Sequence, residues 1–342
     1  MDAIMEGKKE TVNIIYVSND GYARHLAASL YSLLAHSRKI RDLDVWVLSS
    51  GMCPEYQKRL QAVAEKFGRT VQVRELGDLR EKFPYDVDTR GFDISAMGRL
   101  FAPEVLPETV ERALYLDCDT IVLGDIRKLY RTDLGGCLAG MVMEPTVYKE
   151  MKEAIGFGRD DAYFNSGVIL MDLAGWRREQ VLRQMLDFYG AHAGSLFACD
   201  QDTINGALAG RIRSLPPKYN FFTNYRYFRY STLEKLCGAY RQVGKQQFQE
   251  AKRRPVIIHY LGDERPWIAG NHNHYRRLYE YCLDHTPWKG TPPEKGKELY
   301  MQLWWCFNQM TRVSPGLRLW ISRRFGMKVI DGRKKKRETG NG

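Results

Sequence analysis

The stretch Ala113–Asp125, ALYLDCDTIVLGD, sets two carboxylates, Asp117 and Asp119, on either side of Cys118 at the end of an apolar run. Residues two apart on extended backbone project to the same side, so both acids face one region of space. Oxygen ligands so arranged suit Mg²⁺ or Mn²⁺ bridging to a diphosphate. A solvated turn would use the same acids for solubility alone. A second candidate is His259, which closes the apolar run in PVIIHYLGDERPW and is followed by Gly262 and Arg265. An imidazole there is a possible third ligand and would shift the preference toward Mn²⁺. Gly262 would let backbone approach a phosphate closely, and the planar fork of Arg265 suits phosphate oxygens. The ordinary alternative for His259 is a hydrogen-bonded structural histidine.

The elements that must hold these groups alternate between strand and helix patterns. VNIIYVS, LDVWVLSS, TVQVREL, RALYLDCD, GCLAGMVME, SGVILMDL and PVIIHYLG read as strands. Helices are expected where Leu26, Leu30, Leu33 and Leu34 recur at helical spacing, after Pro54, over Trp176–Tyr189 and over Asp200–Ala209. This alternation predicts an α/β fold, a mostly parallel sheet with helices on its faces. Ligands in such sheets bind beyond the carboxyl ends of strands, where Asp117, Asp119 and His259 fall. GTPPEKGKE reads as a linker, dividing a body of residues 11–290 from a helical, basic extension of residues 291–342.

With 342 residues the chain can bury roughly three quarters of its unfolded surface. Its composition, 44% hydrophobic and 27% charged, is that of an ordinary globular protein. No apolar run approaches the ~20 residues of a membrane span, and charge interrupts the N-terminus where a signal peptide needs an apolar core. Seven scattered cysteines without Cys-x-x-Cys spacing suggest reduced thiols in the cytoplasm. The net charge is +11, but Arg312–Gly342 holds ten Lys/Arg and two acids, leaving +3 for the first 311 residues. No nucleic-acid-binding signature accompanies that tail. GAYRQVGKQ lacks both the spacing and the Ser/Thr of a P-loop. NHNH, Asn271–His274, reads as an exposed polar loop rather than a metal site.

RALYLDCDTIVLGDI, AYFNSGVILMDLAGWR, CDQDTING and HYLGDERPW stand in the order and approximate spacing of the retaining glycosyltransferases of family 8. IIYVSNDGYARHLAASLYSL and DISAMGRL fit as well, so the resemblance spans about Val12–His285. The sequence is similar to the bacterial branch that builds lipopolysaccharide and other surface glycans. The resemblance implies a GT-A (Rossmann-like) fold and a UDP-sugar donor, UDP-galactose or UDP-glucose. It maps Asp117, Asp119 and His259 onto the Mn²⁺ ligands. It assigns Ser18, Asn19, Asp20, Gly21 and Tyr22 to the uridine-holding loop, with Tyr22 stacked on the base. Asn19 stands where relatives commonly have Asp. Arg99, Cys118, Asn165, Ser166, Asp200, Gln201 and Gly262 fall among the donor-binding positions, and Arg265 replaces the Lys that many members carry. Alone, Asn165 could be a turn residue and Asp200 a helix cap with Asp202 in the first turn.

Breaking the anomeric bond of such a donor puts negative charge on the leaving diphosphate, which a divalent ion and Arg265 would stabilise without a general acid. Gln201 and Asp200 are the expected catalytic pair, Gln201 supporting the oxocarbenium-like transition state of a front-face attack and Asp200 gripping sugar hydroxyls. The aromatic run Tyr219–Tyr230 is either an acceptor-facing wall or core. In the tail, Leu299, Leu303, Phe307 and Met310 form one helical stripe, and Trp320, Ile321 and Phe325 lie among cations. That mixture suits an anionic membrane surface; the alternative is a docked helix with a basic end. Expected partners are thus a UDP-sugar, a glycan or lipid-linked saccharide acceptor and the inner membrane face, without nucleic acid. Two rival readings are a sugar-nucleotide nucleotidyltransferase and a non-catalytic UDP-sugar binding module.

Overall fold

The structure, a computed structural model, describes residues 11–322 together with 324 and 325. Its strands are β1 (Val12–Ser18), β2 (Leu43–Ser49), β3 (Val71–Glu75), β4 (Arg112–Leu116), β5 (Thr120–Val122), β6 (Ala139–Met143), β7 (Phe164–Asp172), β8 (Ile212–Leu215), β9 (Phe221–Phe222) and β10 (Ile257–His259). Seven of them form one sheet in the order β3-β2-β1-β4-β7-β6-β8. Only β7 runs against its neighbours, so the sheet is mostly parallel as the alternation predicts. Every residue of β1 is buried, as expected for a parallel strand covered on both faces. The helix Ala23–His36 covers one face through Leu26, Leu30 and Leu33, and Pro54 opens the helix Pro54–Glu65, where its missing N–H removes no helical bond.

A second sheet, β5-β10-β9, sits at the end of the first. β5 and β9 are too short for any periodicity to reveal them. Pairing of His259 with Thr120 brings the imidazole back beside Asp117 and Asp119, one turn upstream of β5. In the aromatic run Tyr219–Tyr230, Tyr219, Phe221, Phe222, Tyr225 and Phe228 are buried core, while Tyr227 and Tyr230 are partly exposed. The acceptor-wall alternative therefore does not hold for the buried rings.

The helix expected over Trp176–Tyr189 is two helices, Leu173–Arg178 and Val181–Ala191, separated by a left-handed Gln180 with φ of 51°. Trp176 donates from Nε1 to the carbonyl of Leu138, and Arg177 gathers the carbonyls of Pro103, Leu106, Pro107 and Val110. The first helix is thus tied to the loops flanking β4 and β6, while Val181 and Met185 enter the core, and one straight axis does not serve both sets of partners.

Beyond residue 290 the chain stays in contact with the body. Ile268 bridges to Glu294, which also ion-pairs with Arg24. The helix Glu298–Val313 then docks through Met301, Asn308 and Thr311. The expected stripe is split by this docking: Leu299 and Leu303 face outward, 75% and 61% exposed, while Phe307 and Met310 are partly buried. Leu317, Trp320 and Phe325 are exposed as well. The basic run Arg333–Arg337 lies outside the described residues. Among the described residues no helix is long and apolar enough to cross a membrane.

Candidate active site

The carboxyl ends of β1 and β4, the start of β7 and the end of β10 surround a cleft of about 280 Å³. Tyr22, Arg99, Asp117, Cys118, Asp119, Asn165, Ser166, Asp200, Gln201, His259 and Arg265 line it, bringing together residues from both ends of the chain. A larger pocket of about 530 Å³ beside edge strand β8 holds only Asp161 and Arg213 as charged groups.

Asp117, Asp119 and His259 converge so that one ligand atom of each lies within 4.8 Å of the others. His259 Nε2 is 3.2 Å from Asp119 Oδ1 and 3.8 Å from Asp117 Oδ2. The protonation of the ring follows from its neighbours. The backbone N–H of Gly167 can only donate, and it donates to Asn165 Oδ1 at 2.9 Å. Asn220 Nδ2 donates to that same oxygen at 2.8 Å, which turns Asn220 Oδ1 toward His259 Nδ1 at 3.1 Å. Nδ1 is therefore the donor to Asn220, and in the neutral ring this leaves Nε2 as the nitrogen that faces the two carboxylates. Burial lowers the pKa of His259, opposing the pull of Asp117 and Glu144 toward the charged form. Two acids and an unprotonated nitrogen meeting in a buried corner fit a divalent cation.

Buried Arg99 braces the other side. It contacts Asp117 Oδ1 at 2.9 Å and Asp200 Oδ2 at 3.2 Å, donates to the Ser166 carbonyl at 2.7 Å, and lies over the ring of Tyr115. Tyr115, two residues before Asp117 on the same side of β4, donates to Asp117 Oδ1 at 2.6 Å. Asp200 also accepts from Ser166 Oγ at 2.9 Å. Burial pushes its carboxyl up to about 6, against the lowering influence of Arg99; Asp117 pushes it up further and the Ser166 bond lowers it. Asp200 is not the helix cap: the N-cap is Ala198, and its backbone N–H donates to Asp202 in the first turn at 2.7 Å. Cys199, just before it, has φ of 39°, a strained conformation that turns Asp200 into the cleft. Gln201 Oε1 accepts from Ser166 N–H and from Asn165 Nδ2, each at 3.0 Å, leaving Nε2 directed at Glu144 and Tyr163, 3.3 Å from each.

An irregularity in β7 makes this possible. Met141 pairs with Ile169, yet adjacent Val142 pairs with Asn165, so Ser166–Val168 bulge from the ladder. The freed carbonyls of Gly167 and Ser166 accept from Asp117 N–H and Arg99. A Cβ on Gly167 would stand 2.7 Å from His259 Nδ1 and 2.9 Å from Asp117 Oδ2, so a side chain here would displace those two groups.

Five expected donor residues do not line the cleft. Ser18 is buried at the end of β1, and Asp20 accepts from the Cys53 N–H at 2.8 Å on the far side of the turn. Asn19 accepts from Tyr22 N–H and donates to Asp93 at 2.8 Å. Gly21 lies within that turn, and Gly262, with φ of 88°, turns the chain toward Arg265. Cys118 lines the cleft, but burial pushes its thiol up to about 12 and it donates to the Val17 carbonyl. Arg265 reaches Asp119 and donates from Nε to the Gly262 carbonyl at 2.7 Å. Sequence reading missed Glu144, Gly167, Asn220 and Tyr115. An acid closing the apolar run GCLAGMVME was a usable signal for Glu144; Asn220 gave none. In NHNH, Asn271 and Asn273 are buried rather than exposed, and they hold the carbonyls of Pro266, Ile268 and Glu264 behind the Arg265 loop.

A mostly parallel α/β sheet carrying an acid–acid–imidazole corner at its ligand edge is the arrangement of a GT-A glycosyltransferase. Galactosyltransferase LgtC, solved with donor and acceptor sugar analogues, superposes with a TM-score of 0.68 at 22% identity, covering 81% of this chain and 96% of that one. The description of glycosyl transferase family 8 matches residues 13–270, and the chain belongs to that family. General stress protein A of Bacillus subtilis is 28% identical over 82% of this chain and 96% of its own. A lipopolysaccharide 1,2-glucosyltransferase of Escherichia coli K12 is 26% identical over 85% of this chain and 82% of its own. The protein is therefore a glycosyltransferase.

Gly167→Ala should leave the fold intact by circular dichroism yet weaken divalent-cation binding ~10–100-fold by calorimetry, the usual penalty for disturbing the surroundings of metal ligands. Unchanged affinity would mean that the three ligands do not act together.

Proposed function

We propose that this chain is a retaining hexosyltransferase. In this reading it moves galactose or glucose from a UDP-sugar to a glycan or lipid-linked saccharide in bacterial surface polysaccharide assembly. Asp117, Asp119 and His259 would hold Mn²⁺, with Mg²⁺ as the alternative. The observation that carries the reading is the convergence of Asp117, Asp119 and His259, one ligand atom of each within 4.8 Å of the others. Bound there, a divalent cation would offset the charge of the leaving diphosphate. Arg265, paired with Asp119 at the same corner, would turn its guanidinium to the diphosphate oxygens once a cation takes up that carboxylate, and Tyr22 offers an exposed ring for the base.

Asp200 makes its bonds to Ser166 and Arg99 through Oδ2, which leaves Oδ1 for sugar hydroxyls. Gln201 is a neutral amide whose oxygen already accepts two hydrogen bonds, a poor nucleophile. Both features favour front-face attack on an oxocarbenium-like centre, with Gln201 as an electrostatic support. A slow donor analogue should therefore leave no glycosylated protein detectable by intact mass spectrometry, and a covalent adduct would overturn this route.

The body, residues 11–290, would do the chemistry, and the extension, 291–342, would meet an anionic membrane surface. Exposed Leu299, Leu303, Leu317, Trp320 and Phe325 and the +8 charge of Arg312–Gly342 support this. Cosedimentation should be strong with phosphatidylglycerol vesicles, weak with phosphatidylcholine, and lost in Trp320→Ser/Phe325→Ser; equal binding to both lipids would contradict the reading.

The deciding assay is Mn²⁺-dependent release of UDP from a panel of UDP-sugars. One donor should turn over, and Asp119→Ala should reduce the rate ~10²–10³-fold, the range for losing a group that stabilises transition-state charge. UDP binding without turnover would favour the binding-module reading, and synthesis of UDP-sugar from sugar phosphate would favour a nucleotidyltransferase.

A further inference from the structure

The loop that carries Arg265 is held from behind by the C-terminal helix. Leaving β10, the chain is pinned where Tyr260 N–H donates to the Asp119 carbonyl at 3.0 Å, then turns at Gly262. Of the next three residues, Arg265 lines the cleft while Asp263 and Glu264 point the opposite way. Tyr300 donates to Asp263 Oδ2 at 2.9 Å, and Asn308 Nδ2 donates to Glu264 Oε2 at 3.1 Å. Glu264 and Asn308 are both buried, 5% and 2% exposed. Tyr300 and Asn308 lie about two turns apart on one helix, so a single rigid element grips two consecutive loop residues. The same stretch is anchored alongside the loop by the Ala269 N–H bond to the Glu294 carbonyl at 2.8 Å and by His272 against Gln302 at 2.9 Å.

We propose that the helix Glu298–Val313 is a clamp, with Asn308 and Tyr300 as positioning residues that fix Arg265 for the diphosphate of the donor. The ligand in this proposal rests on the reading above; the clamp does not. A buried carboxyl that loses its donor must find water or another partner. For Glu264 that means shifting the backbone one residue from Arg265. Misplacing a charge-stabilising group by a fraction of its bond length is felt directly in binding and rate. The helix presents Leu299 and Leu303 to solvent on the side away from the loop, so whatever engages that face acts on an element already tied to the cleft.

The test combines hydrogen–deuterium exchange of the free full-length protein with calorimetric binding of UDP in Mn²⁺. Asn308→Ala and the gentler Tyr300→Phe should each raise exchange in peptides covering 260–268 while leaving β1 and β2 unchanged, a built-in control for folding. Asn308→Ala should weaken UDP binding about tenfold, as outer-shell losses do. In an Arg265→Ala background it should have no further effect, because interacting residues are non-additive. Unaltered exchange in 260–268 would overturn the clamp, and losses that multiply in the double variant would overturn its action through Arg265. If the unmodified chain fails to bind UDP, the nucleotide-sugar reading falls, and the exchange comparison alone decides the clamp.

Discussion

The backbone N–H of Gly167 donates to Asn165, and from that bond the polarity of the site runs outward through Asn220 to the ring of His259. Each amide in the relay has a donor end and an acceptor end, so one fixed donor orients all that follow. The same Asn165 turns its NH₂ toward Glu144 and Gln201, which ties the orientation of the amide at the sugar end to that of the imidazole at the metal end. A buried network of this kind is stable when all its members are satisfied. The bulge in β7 satisfies it, by freeing backbone groups at the point where the side chains need them.

Arg99 provides the complementary constraint. Two carboxylates on one side of a cleft, Asp117 and Asp200, would repel across a medium of low dielectric. A buried guanidinium between them, stacked on Tyr115, neutralises both and strongly favours its own charged form despite burial. Its donors are occupied by Asp117, Asp200, Ser166 and Ala96, so its work is to hold the walls of the cleft. The cleft thus has a fixed cationic brace on one wall and, in Arg265, a cation on a loop at the other.

Much of this was legible in the sequence. Long apolar strands and amphipathic helices announce themselves because burial on both faces demands continuous apolar residues, and the acids at the end of ALYL stand out against that run. Asp117, Asp119, His259, Asn165, Asp200 and Gln201, drawn from four separate motifs, line one cleft. What stayed hidden depends on tertiary register. Asn220 acquires its meaning only when β9 lies beside β10, and Gly167 only when His259 arrives 2.7 Å from the space a Cβ would fill. The aromatic run Tyr219–Tyr230 left two readings open because buried and sugar-facing rings share one composition. The stripe Leu299, Leu303, Phe307 and Met310 is divided by register: Leu299 and Leu303 face outward, while the docked face is mixed, with Asn308 and Thr311 in it.

The small sheet β5-β10-β9 also fixes the order in which the centre can be built. Ile258 must pair with Ile121, made early, and with Phe221, made later. As the chain emerges from the ribosome, Asp117 and Asp119 are present long before His259, and closing that wide loop is entropically unfavourable until both edges exist. The nascent protein therefore carries the pair of carboxylates without the imidazole while residues 120–258 are being made. Completion of the centre reports that the chain has been made at least as far as β10, and an interrupted translation product carries the two acids without their imidazole.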